Sequence, residues 1–110
     1  MSLLEKTCSA TVTALDADAI TTLLPQVPGW SVVADKLLCT FAFRNYYETI
    51  AFVNALAWMV HQQDHHPELV VSYKQCAVTF NTHSVGGALS ENDFICAAKA
   101  SAIYAQRAGA

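Results

Sequence analysis

The 110-residue sequence predicts an α+β fold: a four-stranded antiparallel sheet with three helices on one face, in the order α-β-β-α-β-β-α. Three observations carry this expectation. Runs with a period-two or strongly apolar strand pattern occur before and after the middle of the chain. A long segment of helical length, Asn45 to about Asp64, separates them. Helix-start signals then precede one further segment near each end of the chain.

The first helix is expected over about Asp16 to Leu24. Ala19, Ile20, Leu23 and Leu24 have helical spacing, and Asp16 or Asp18 caps or charges its start. Pro25, Pro28 and Gly29 end it. A short strand, Trp30 to Ala34, follows. Ala34-Asp35-Lys36 is read as a hairpin turn, although it lacks the usual glycine. In the second strand Leu37, Cys39, Phe41 and Phe43 alternate with Leu38, Thr40 and Ala42.

Asn45 is the expected cap of the long helix. Between Ile50 and Val60 this helix is apolar on nearly every side, whereas packing on one sheet face needs only one stripe. The helix is therefore expected to be covered twice, by its own sheet and by a second body. Pro67 is expected to stop it, because the residue before a proline is pushed toward extended conformations. That places His61 and His65 one turn apart on the last helical turns, with His66 just beyond. Leu69 to Tyr73 reads as the third strand and Cys76 to His83 as the fourth. Cys76, Val78 and Phe80 share its apolar face, while Ala77, Thr79, Asn81 and His83 point the other way. Gly86-Gly87 makes a turn. Ser90-Glu91-Asn92-Asp93 resembles a capping box opening a helix through Phe94, Ile95, Ala98, Ile103 and Tyr104.

The length points to one domain, residues 1–110, with 1–12 a loose N-terminal segment. A hydrophobic fraction of 54% with 14% charged residues suits a packed globule and argues against disorder. So apolar a small chain is expected to bury surface between subunits. The net charge of −3 and the lack of any Lys/Arg run leave no electrostatic footprint for nucleic acid. The run Ile50 to Val60 is too short to span a bilayer. Cys8, Cys39, Cys76 and Cys96 are widely spaced, and Met1 to Ala10 lacks the apolar core of a signal peptide. Reduced, mostly buried thiols in a cytoplasmic protein are expected rather than two disulfides.

The chemistry concentrates in His65-His66-Pro67 and Thr82-His83, which hold three of the four histidines. Imidazole is the side chain best suited to give and take protons near neutral pH. His61, Asp64 and His65 form an H-x-x-D-H pattern whose two histidines, with His83, offer zinc ligands. Gln62 stands where the protease version needs glutamate, and proton transfer needs imidazoles free of metal, so no metal is expected. Each residue also has a plainer reading. His65 and His66 suit a helix C-terminus, where the dipole favours imidazolium. His83 fits an ordinary strand surface. Asp93 fits a helix cap, a role compatible with membership of a site. Trp30, Trp58 and Tyr73 read as core or interface.

In its order of His61, His65, His66, Pro67, Tyr73, His83 and Asp93 the chain resembles the pterin-4a-carbinolamine dehydratase family. Pro28-Gly29-Trp30, Phe41-Ala42-Phe43, Thr82-His83 before Gly86-Gly87, Leu89 to Phe94 and Ala97-Ala98-Lys99 add to the likeness, which spans about residues 13 to 105. His61 stands where the family usually has glutamate, Leu69 where an aromatic is common, and the glycine turn is one residue longer. The resemblance implies dehydration of a 4a-hydroxytetrahydropterin to the quinonoid dihydropterin. It implies proton-transfer roles for His65 and His83, with His66 in substrate orientation and proton transfer to one stereoisomer. It implies substrate contacts from His61, Pro67, Asn81, Thr82 and Asp93, and no redox cofactor or metal. It implies a homodimer or homotetramer. It also leaves a second reading open: a non-catalytic dimerisation or assembly scaffold that binds a protein partner through its helical face.

Overall fold

A computed structural model describes residues 2–107. Its sheet is antiparallel throughout, with spatial order β1-β2-β4-β3. In chain order the elements are α1 (Ala17–Leu23), β1 (Ser31–Val33), β2 (Lys36–Ala42), α2 (Tyr46–Gln63), β3 (Glu68–Val71), β4 (Gln75–Phe80) and α3 (Glu91–Ala105). The expected class and element order are therefore present.

Local chemistry sets the boundaries. Asp16 caps α1, its carboxylate accepting from the Ala19 amide at 2.8 Å, and Asn45 caps α2 through the Glu48 amide at 2.9 Å. Ala34 and Asp35 turn the β1–β2 hairpin with φ of +51° and +62°. Both central residues are thus left-handed, as the tight turn between right-twisted strands requires, without a glycine. The turn is one residue shorter than the expected Ala34-Asp35-Lys36, since Lys36 already pairs with Val33.

The end of α2 departs from expectation. The helix stops at Gln63, three residues before the residue that Pro67 restricts. Asp64 adopts φ +50°, its amide donating to His61 O and the His65 amide to Val60 O at 3.2 Å. This pair of bonds is a Schellman ending. Consequently His65 is not on the last helical turn. The left-handed residue swings it off the helix, and the one-turn spacing with His61 is lost.

β4 ends at Phe80, and His83 opens a short 3-10 turn over His83–Val85 instead of lying on the strand. β3 ends at Val71, so Tyr73 belongs to the connecting turn. Residues 2–9 are not loose. Leu3 is buried, Lys99 donates to Leu4 O at 2.8 Å, and Ser9 exchanges two hydrogen bonds with Asn92.

The core lies between the sheet and α2 and α3. Leu37 and Phe41 of β2 and Cys76, Val78 and Phe80 of β4 face Phe52, Leu56, Phe94 and Ile95. Burying each large side chain contributes about 1.5–3 kcal/mol. Phe41, Phe43, Phe52 and Tyr104 form a ring cluster with centroids 4.8–6.1 Å apart. Trp30 is core, its Nε1 donating to Ser101 Oγ at 2.8 Å. Trp58 and Tyr73 stay exposed.

Candidate active site

The end of β4, the exit from α2 and the start of α3 converge on one point. His65 is buried there, its ring stacked on Phe80 with an interplanar angle of 8°. Its Nε2 lies 2.6 Å from Asp93 Oδ1. Asp93 is fully buried at the third position of α3, and its other oxygen accepts from the Ser90 amide at 2.9 Å and Thr82 Oγ1 at 2.8 Å. Thr82 Oγ1–H donates to Asp93, so in the 2.7 Å contact between the two hydroxyls Ser90 is the donor. One carboxylate thus caps the helix and fixes an imidazole at once. The two readings of Asp93 coexist.

Two opposing effects act on His65. Burial penalises the imidazolium, but the hydrogen bond and negative charge of Asp93, with smaller help from Cys8 and Asp64, outweigh it. The net result is a pKa above the ordinary histidine value. With Nε2–H committed to Asp93, Nδ1 is the nitrogen left to exchange a proton, since it makes no hydrogen bond among the described residues.

A cavity of about 290 Å³ opens beside His65. That volume is at the lower end for small-molecule sites, roughly 300–1,000 Å³. His65, His66, Asn81, Thr82 and His83 all contribute to its wall. Three expected residues do not. Asp93 lies behind the wall, wholly buried, and reaches the cavity only through His65 and Thr82. His61 is exposed on α2, turned away by the Schellman ending. Pro67 is half-buried outside the lining. Asn81 has a structural duty too, its amide donating to Gly87 O at 3.3 Å across the turn. Gly86 and Gly87 hold φ of +72° and +83°, which glycine adopts without strain.

The opposite wall comes from residues the sequence does not single out: Ser9, Ala10 and Val12 of the N-terminal strap, and Asn92. Asn92 Nδ2 donates to Ser9 O at 2.9 Å and Asn92 Oδ1 accepts from the Ser9 amide at 3.0 Å. The one available signal is an amide residue inside the opening turn of an otherwise apolar helix.

Among the described residues no group of three or more His, Cys, Asp or Glu side chains is placed to hold a metal. No helix there is long and apolar enough to cross a membrane. The cavity wall holds the imidazoles of His65, His66 and His83, the first oriented by a carboxylate, and neighbouring polar groups. That set can move protons on a small polar heterocycle.

Comparison with known proteins bears on the same residues. Residues 13–103 match the family model described as pterin 4 alpha carbinolamine dehydratase. A protein of Stenotrophomonas maltophilia (strain R551-3), provisionally named pterin-4-alpha-carbinolamine dehydratase, is 63% identical over 86 residues, covering 76% of this chain and 73% of that one. A protein of Nitrosospira multiformis with the same provisional name is 46% identical over 99 residues, covering 90% and 87%. A crystal structure of a transcriptional coactivator/pterin dehydratase from Brucella melitensis superposes with TM-score 0.79 at 28% identity, covering 83% and 98%. A pterin dehydratase-like protein identified as a RuBisCO assembly factor in the alpha-carboxysome superposes with TM-score 0.57 at 25% identity, covering 68% and 86%.

Proposed function

The chain belongs to the pterin 4 alpha carbinolamine dehydratase family, and from that membership we propose that it dehydrates a 4a-hydroxytetrahydropterin to the quinonoid dihydropterin by histidine acid–base catalysis. The C4a hydroxyl leaves as water and needs a proton, while N5 must lose one. The two transfers balance, and no electrons enter or leave. The observation that carries the reading is the carboxylate-oriented His65 on a cavity wall shared with His66 and His83.

Each histidine has a distinct suitability. In the neutral ring Nε2–H donates to Asp93, leaving a lone pair on Nδ1. His65 is then the base for the N5 proton, and the adjacent carboxylate stabilises the imidazolium that forms. His83 and His66 are exposed and oriented less firmly, which suits protonation of the departing hydroxyl and orientation of the ring. His66 pairs with Asp64 only at 3.9 Å on the surface, a contact that contributes little. Asn81 offers its amide group to read the pyrimidine edge, while Thr82, its hydroxyl held between Ser90 and Asp93, shapes the wall beneath it. A cytoplasmic setting is consistent with the four free thiols.

A second reading, a scaffold binding a protein partner through its helices, draws on the assembly-factor relative and on the apolar groove between α2 and α3 lined by Ala51, Phe52, Ala55 and Ile103. A dehydratase assay with synthetic carbinolamine separates the two. Wild type should exceed the uncatalysed rate, and His65→Ala or His83→Ala should each lower the catalysed rate by about 10²-fold or more with the fold retained. A wild-type rate equal to background would leave the scaffold. Near-normal rates in both variants would remove the histidines from the chemistry.

A further inference from the structure

We propose that Cys8 and Cys96 form a reversible disulfide when the protein meets a hydroperoxide, fastening the N-terminal strap to α3 beside the cavity. The two sulfurs stand 3.5 Å apart although 88 positions separate them in sequence. All four cysteines are unbridged, and the structure gives no sulfur–sulfur contact to Cys39 or Cys76 among the described residues. A disulfide needs about 2.05 Å between sulfurs, so the pair must close by roughly 1.5 Å. Side-chain rotation with a small local shift can supply this movement, because residues 6–16 contain no helix or strand, while the hydrogen bonds of Ser9 to Asn92 stay in place.

The two thiols are not equivalent. Cys8 is half-buried and Cys96 is buried. A hydrogen bond from the Cys96 thiol holds Cys8 below the ordinary thiol range against the effect of burial, with His65 and Lys99 adding positive charge nearby. The same contact, with burial, pushes Cys96 up. Cys8 is thus the attacking thiolate and Cys96 the resolving thiol. Cys8 sulfur attacks one peroxide oxygen and the O–O bond breaks, giving a sulfenic acid and, for hydrogen peroxide, one water. Cys96 sulfur then attacks the sulfenic sulfur, the S–O bond breaks and a second water leaves. Two thiols surrender two electrons and the peroxide takes both. A dithiol reductant reverses the bond.

The position gives this pair a consequence beyond a staple. Ser9 follows Cys8 and walls the cavity, and Asn92, its hydrogen-bond partner, lies one helical turn before Cys96. Cys8 N also donates to Gln63 Oε1 at 2.8 Å, so the same residue touches the end of α2. Oxidation would hold that wall in place covalently.

The test treats reduced, full-length protein with equimolar hydrogen peroxide, blocks remaining thiols by alkylation and maps peptides without reduction. The expected result is a mass lower by two hydrogens before alkylation and a Cys8–Cys96 linked peptide, with Cys39 and Cys76 alkylated. Its yield should not change on dilution, dithiothreitol should remove it, and the melting temperature should rise by several degrees because a long loop is closed. In Cys8→Ser no such peptide forms and peroxide leaves the melting temperature unshifted. Four alkylated cysteines, a different pairing, or a link between two copies would each overturn the proposal. The wild-type map decides the matter by itself if Cys8→Ser folds poorly, and none of these readouts depends on dehydratase activity.

Discussion

At the residue scale, His65 ties catalytic suitability to stability. Its folded pKa is raised, because Asp93 outweighs burial. A group with a raised folded pKa binds its proton more tightly in the native state. Its stabilisation is complete below the unfolded value, near 6.5 for histidine, and is lost as pH climbs through the folded value. His65→Gln should therefore cost more stability near pH 5.5 than near pH 9, about one unit below and two or more above the ordinary histidine value. Urea unfolding of both proteins at the two pH values measures this. A gap that is equal, or larger at alkaline pH, would show that burial dominates and that Asp93 serves as a cap alone. The sequence made the histidines visible because their adjacency to Pro67 and to Thr82 is conspicuous. It could not reveal which nitrogen is held. That depends on a carboxylate 28 positions away and on the hydroxyls of Thr82 and Ser90.

At the element scale, the instructive case is the end of α2. A proline four residues past the helix suggests that the helix runs up to it, and an i, i+4 reading then puts His61 beside His65. The backbone instead turns left-handed at Asp64, a conformation aspartate tolerates better than most residues. The Schellman bonds then send His65 inward and leave His61 in solvent. A Glu at position 61 would consequently be a solvent-exposed charge outside the cavity lining, and water weakens the effect of such a charge on His65. His61→Glu should reproduce the wild-type pH–rate profile and KM. A displaced acid limb would show instead that position 61 reaches the cavity. The same limit explains the N-terminal strap. Its link to α3 rests on Ser9, Cys8 and Leu3 meeting residues some ninety positions on, and no local periodicity encodes such contacts. Helix caps, by contrast, were legible at Asp16, Asn45 and Ser90 because capping is chemistry within a few residues.

At the scale of the whole molecule, apolar surface remains where one chain has nothing left to cover it. On the helical side Trp58 is 67% exposed beside the groove between α2 and α3. On the open side Val70 is 69% exposed, and β3 is an edge strand with an unpaired row of backbone groups; Tyr73, 65% exposed, sits in the turn beside Tyr46 at the start of α2. Contiguous exposed apolar surface of this kind marks association sites. The sequence anticipated one of these faces, since α2 is apolar on nearly every side, but not the sheet edge, whose exposure follows only from the strand order. Light scattering at micromolar concentration should give a mass above one 11.9 kDa chain. Two variants then assign the faces. Trp58→Lys should lower the mass if the helices pair, and Val70→Lys if the sheet edges do. A strictly monomeric wild type would mean that the apolar excess of α2 has some other cause. Unchanged masses in both variants would place the contact elsewhere on the surface.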